Sequence, residues 1–128
     1  MHTSLEKFNF VKKQVNEIIT QKQLKTSPKI IAVTKTHSLN KILPLIEDGH
    51  IHFGENKIQE AEIKWVKAKN RYSNLQLHMI GSLQSNKAKK AVKIFDYIHS
   101  LDTKKLALKI LSRYWARLCR KQSSLGVS

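Results

Sequence analysis

Apolar positions along this chain alternate between two kinds of spacing. Leu5, Phe8, Val11, Val15, Ile18 and Ile19 recur every three or four residues, which predicts an amphipathic helix over residues 4–24 with lysines on the opposite face. Thr26-Ser27-Pro28 ends it, because the residue before a proline avoids helical geometry. Ile30, Ile31, Ala32 and Val33 then form a short run rich in β-branched residues, which predicts a strand buried on both faces. Ser38 suits the N-cap of a second helix through Leu39, Ile42, Leu43, Leu45 and Ile46, closed by Gly49 where a left-handed residue is needed.

The same strand and helix unit then recurs. Ile51 to Glu55 reads as a strand, and Asn56 with Gln59 three residues on resembles a capping box opening a helix from Lys57 to Asn70. Ile58, Ala61, Ile63 and Trp65 supply its apolar surface. Leu75 to Ile80 is a third strand, followed by a helix starting at Ser85 or Asn86 with Ala88, Ala91, Val92 and Phe95 inward. Tyr97 to Leu101 is a fourth strand, and Asp102 or Thr103 caps a last helical segment beginning at Lys104. Four strands alternating with helices of this length predict an α/β fold with a parallel sheet.

That architecture gives Lys35 its interest. It stands where the first strand ends, and α/β proteins keep their chemistry in the loops after the strands. An amine partly desolvated there has a lowered pKa and is a candidate nucleophile toward a carbonyl. A solvated lysine in a lysine-rich chain is the alternative reading of the same residue.

Bulk properties narrow the class. The chain has 128 residues, enough for one modest domain and about half of a closed eight-stranded barrel. Its formal net charge of +15 suits nucleic acid, an anionic membrane surface or phosphorylated ligands without choosing among them. No apolar run approaches the roughly 20 residues of a membrane span and no uninterrupted signal-like segment opens the chain, so a cytoplasmic location is expected. The single cysteine, Cys119, forms no intrachain disulfide and agrees with a reducing compartment. His50 and His52 share one face of a strand, but no third metal ligand sits at useful spacing. Glu55, Glu60 and Glu62 show no partner that would suggest general acid-base work.

Four motifs carry a more specific resemblance. Ile31-Ala-Val-Thr-Lys35, Phe53-Gly-Glu-Asn56-Lys-Ile-Gln59-Glu60, His78-Met-Ile80-Gly81-Ser-Leu83-Gln84-Ser-Asn86-Lys87 and Ile98-His99-Ser100-Leu-Asp102 lie in this order. Together they resemble the pyridoxal-phosphate homeostasis proteins, the YggS/PROSC group, whose fold is similar to the N-terminal barrel of alanine racemase. The resemblance implies a fold type III pyridoxal-phosphate protein, here as about half of a TIM-type barrel over residues 1–111. It implies that Lys35 forms a Schiff base with pyridoxal phosphate and that Asn56, His78 and Ser100 line the cofactor pocket. Amino acids are the further ligands it suggests, and binding with buffering of a reactive aldehyde, rather than an established catalytic turnover, is the activity.

The departure from that pattern is also informative. The main phosphate-binding groups of the family come from a second half that this sequence does not show, so weaker cofactor binding is expected. Residues 1–112 contain 19 lysines and one arginine, whereas residues 113–128 contain one lysine and three arginines. This shift marks residues 112–128 as an atypical basic tail, not the ancestral continuation, as in a truncated or frameshifted product. A half barrel would leave strand edges exposed and favour self-association. The tail also supplies an alternative reading. Leu108, Leu111, Trp115 and Leu118 share a helical face flanked by basic residues, as in a module that binds nucleic acid or an anionic membrane surface. For the barrel reading, neither a specific nucleic-acid partner nor a membrane span is expected.

Overall fold

The computed structural model describes residues 3–113. Its elements are α1 (Ser4–Gln21), β1 (Ala32–Val33), α2 (Leu39–Glu47), β2 (His52–Glu55), α3 (Ile58–Arg71), β3 (Gln76–Met79), a 3-10 turn (Ser85–Lys87), α4 (Ala88–Ile94) and β4 (Tyr97–Ile98). A further helix, α5, covers residues 104–113. The four strands form one parallel sheet in the order β1-β2-β3-β4. Sequential order means that each helix returns the chain to the next position along the sheet without a switch point, as in a barrel wall and unlike a doubly wound sheet.

Helices and sheet bury one shared layer. Ile42, Leu45 and Ile46 of α2, Ile58, Ala61, Trp65 and Ala68 of α3, and Ala88, Ala91 and Ile94 of α4 close on Phe53, Leu77 and Met79 of the strands. Period-two alternation explains the choice: Phe53 and its partner Leu77 point to the helices, as do Glu55 and its partner Met79. Trp65 and Phe53, both fully buried, pack with ring centroids 5.0 Å apart. Gly49 takes φ +98° after α2, as expected of a glycine at a helix stop. Thr3 and Glu6 form a reciprocal capping box at the start of α1.

Several sequence expectations are corrected. Val33 of β1 is 49% exposed, because the face of the sheet away from the helices carries no covering layer among the described residues. Helix α3 is preceded by Lys57 at the N-cap position, with no side-chain capping bond, so Asn56 does not cap it. Ile63 is 83% exposed, since α3 turns Ile58, Ala61, Trp65 and Ala68 inward instead. Helix α1 buries none of its residues, although Leu5 and Phe8 pack against the core. Thr103, not Asp102, caps α5, its hydroxyl accepting from the Leu106 N–H at 3.1 Å. On that helix Leu106 is buried and Ile110 packs against the core, while Leu108 and Leu111 are exposed. The packed stripe is therefore rotated away from the one the spacing suggested. Trp115, Arg117, Leu118, Cys119 and Arg120 lie outside the described residues. No described helix is long and apolar enough to cross a membrane.

Candidate functional site at the carboxyl ends of the strands

Parallel strands bring their carboxyl ends to one side, and four chain segments meet there: Lys35 after β1, Asn56 after β2, Ile80 and Gly81 after β3, and His99 and Ser100 after β4. Val33 pairs with Gly54, and Lys35 and Asn56 stand two residues beyond them, so both leave neighbouring strands at the same level. The helix-side positions are taken by Thr34 and Glu55. Alternation gives the opposite, open face to Val33, His52, Gly54, His78 and Tyr97.

Lys35 sits in a tight turn. The Thr34 carbonyl accepts from the His37 N–H at 3.2 Å, and Thr36, the third turn residue, has φ +66°. That position favours glycine or asparagine, and a β-branched residue there carries strain of about 1–3 kcal/mol that its surroundings must hold. The Thr36 N–H donates to Glu60 Oε1 at 2.6 Å. Lys64 lies one helical turn after Glu60, and its ammonium donates to Thr34 O (2.7 Å), Glu55 Oε1 (2.7 Å) and Glu60 Oε1 (3.1 Å). Glu55, fully buried, also accepts from the Thr34 hydroxyl and the Trp65 indole N–H, each at 2.8 Å on the same oxygen. The Lys64 hydrogen bond holds the Glu60 carboxyl below its usual range despite some desolvation, and the Thr36 N–H adds to this.

A row of histidines crosses the open face. His52 Nδ1 lies 3.0 Å from His78 Nε2, and His78 Nδ1 lies 2.9 Å from His99 Nε2, so each contact is made by one proton between two rings. The Tyr97 ring stacks on His78 with centroids 4.4 Å apart and planes 8° from parallel. His78 is only 3% exposed. Burial first, then the neighbouring His52 and His99, push its pKa down to about 4. Burial also lowers His50 and His52. The His50 Nε2–H donates to the His52 carbonyl at 2.7 Å. No group of three or more metal-ligating side chains forms among the described residues.

The sequence-derived site residues are distributed as follows. Lys35 is exposed, so the expected desolvation of its amine is not met in a sheet whose inner face is open. Asn56 is half-buried against Gly81, where an added Cβ would come within 2.5 Å of the Asn56 carbonyl oxygen. Only a glycine lets these two loops approach so closely. Ser100 is half-buried, one residue beyond His99, and it is His99 that reaches His78. Gly81-Ser82 leads into a three-residue 3-10 turn, so no long helix presents its N-terminus to an anion there. Sequence reasoning passed over Lys64 and gave His99 no role of its own; it weighed His52 only as a metal ligand and Glu60 only as an acid without a partner, whereas Glu60 is paired with Lys64 and His52 contacts His78. Glu60 and Lys64 at i, i+4 were a visible signal, whereas the partnership of Glu55 with Lys64 depends on how α3 folds back over β2.

No family model matches the chain. It is 42% identical over 87 residues to the pyridoxal phosphate homeostasis protein of Synechocystis sp., a match covering 68% of this chain and 39% of that protein. The structure of PipY from Synechococcus elongatus with PLP bound superposes with a TM-score of 0.60 at 39% identity, covering 75% of this chain and 46% of PipY. An unknown protein from Bifidobacterium adolescentis gives a TM-score of 0.74 at 30% identity, covering 85% of this chain and 48% of that one. The chain thus spans less than half the length of each of these proteins. Reading the chain as a basic module for nucleic acid or membranes gains no support from them. Over the shared region, 68% of the chain at 42% identity to the Synechocystis protein, this chain is a partial member of the pyridoxal phosphate homeostasis protein family.

Proposed function

We propose that the chain binds pyridoxal phosphate covalently through Lys35 and buffers this reactive aldehyde in the cytoplasm. The observation that carries the reading is the place of Lys35: it leaves β1 at the carboxyl end of a parallel sheet, in a turn held on both sides, level with Asn56 on the next strand. Lys35 would hold the cofactor through its unprotonated Nζ, the condensation releasing both amine hydrogens with the aldehyde oxygen as water. Bound pyridoxal phosphate supplies the electrophilic carbon and a conjugated ring. Asn56 offers an amide to orient that ring, and His78 and Ser100 supply polar groups farther along the sheet. His78, kept neutral by burial, adds no positive charge at neutral pH to a site that needs an unprotonated amine. Amino acids, whose amines compete for the same carbon, are the expected second ligands, and contact between copies through open strand edges is the expected assembly.

The test is spectroscopic and chemical. The full chain incubated with pyridoxal phosphate should develop the absorbance band of a lysine Schiff base, and borohydride reduction followed by peptide mapping should place the label on Lys35 above the other lysines. Lys35→Ala should remove that band. Equal labelling of the Lys35→Ala chain would defeat the proposal.

A further inference from the structure

We infer that Glu60 and Lys64 are positioning residues for Lys35, acting by holding Thr36 in its left-handed conformation. The inference rests on the proposed role of Lys35 and adds the device that aims it. An ammonium has three donors, and those of Lys64 reach three acceptors that bracket Lys35: the carbonyl of the residue before it, the buried carboxylate of β2, and the carboxylate that accepts from the residue after it. Thr34 is fixed further by its N–H on the Gly54 carbonyl at 3.0 Å and its hydroxyl on Glu55. Both neighbours of Lys35 are therefore tied to one buried charge cluster while its own side chain projects into solvent.

Position 36 shows why a restraint is needed. Threonine disfavours φ +66°, and with the Glu60 contact gone the turn would relax toward negative φ, rotating the peptide that follows Lys35. The residue chemistry thus conflicts with the local backbone, and Glu60 resolves the conflict. Such a conflict next to a nucleophile marks a functional constraint, because a glycine would fill the turn without help. Lys64 keeps Glu60 ionised and in place, and its side chain is only 8% exposed, beyond the reach of ordinary surface screening.

The experiment compares the parent chain with Glu60→Ala, Glu60→Gln, Thr36→Gly and the double variant Glu60→Ala/Thr36→Gly, with Lys35→Ala as control. Two quantities are read: amide hydrogen exchange at position 36 without any cofactor, and the share of borohydride-fixed pyridoxal phosphate on Lys35 relative to all other lysines. Because the other lysines serve as an internal reference, a merely structural loss does not mimic a loss of aim. Glu60→Ala should speed exchange at Thr36 and lower the Lys35 share by about tenfold. Glycine at position 36 should restore that share to within about threefold of the parent, since it adopts the turn unaided. Glu60→Gln, which keeps an acceptor for the Thr36 N–H and is gentler on the fold, should also stay within about threefold. An unchanged Lys35 share in Glu60→Ala, or a loss that glycine at position 36 fails to rescue, would overturn the inference while leaving Lys35 as the attachment point. Equal labelling of Lys35→Ala would instead remove the cofactor reading, and the exchange at Thr36 would still report on the turn.

Discussion

At the scale of single residues, His78 links the open face to pH. Its pKa falls from an ordinary 6.5 to about 4 on folding, so between these values the unfolded chain binds more protons than the folded one. Stability is full above about pH 6.5 and declines as the pH drops toward about 4, and the loss carried by His78 is on the order of 3 kcal/mol. Glu60, whose pKa is lowered, acts in the same direction at still lower pH: its contribution is present above its usual 4.5 and disappears on acidification. Urea midpoints measured from pH 7.5 down to 4 should therefore fall steadily, and His78→Phe should flatten the upper part of that slope. A midpoint insensitive to pH across this window in the parent would contradict the neutral buried ring. Gly81 makes a second residue-scale case. Gly81→Ala sets a methyl group 2.5 Å from the Asn56 carbonyl oxygen, a backbone atom that cannot swing away, so the β2 and β3 loops must part. The expected cost is about 1–3 kcal/mol, with the amide resonances of Asn56 and its neighbours displaced.

At the scale of elements, what the sequence disclosed depended on how local the determining forces are. Strand β2 (His52–Glu55) and helix α2 (Leu39–Glu47), with Gly49 just past its end, follow from runs, periods and a left-handed stop, which are properties of adjacent residues. Asn56 followed by Gln59 imitates a capping box, yet Asn56 belongs to the contact with Gly81, and only the parallel register of β2 and β3 brings that glycine near. Glu55 likewise reads as an acid without a partner until α3 folds back and sets Lys64 and Trp65 over it. His52, His78 and His99 each fall in a stretch that the sequence marks as a strand, but which rings touch is decided by strand pairing. Helix α3 gives the measurable contrast. Trp65 is fully buried against Phe53 and donates to Glu55, so Trp65→Ala should cost about 3–5 kcal/mol in denaturant unfolding. Ile63→Ala, two positions earlier and 83% exposed, should change stability by less than about 0.5 kcal/mol.

At the scale of the whole molecule, two opposing forces act on the open side of the sheet. Among the described residues β1 pairs only with β2 and β4 only with β3, and Val33, Tyr97 and Leu101 remain 49%, 41% and 56% exposed. Unpaired backbone groups at both edges and apolar side chains near them favour contact with a second copy. Against this stand edges of only two residues each and a net charge of +15, which makes any two copies repel. The repulsion is long-ranged and screened by salt, whereas edge pairing and apolar burial are short-ranged and are not. Self-association should therefore be weak at low ionic strength and increase with protein concentration as salt is raised to about 0.5 M, where the screening length is only a few ångströms. Sedimentation velocity across that series tests it, with Val33→Lys as the variant that adds charge to the exposed strand and should shift the balance back toward single chains. A single sedimenting species of monomer mass at every salt and concentration would show that the short edges alone suffice to protect the sheet.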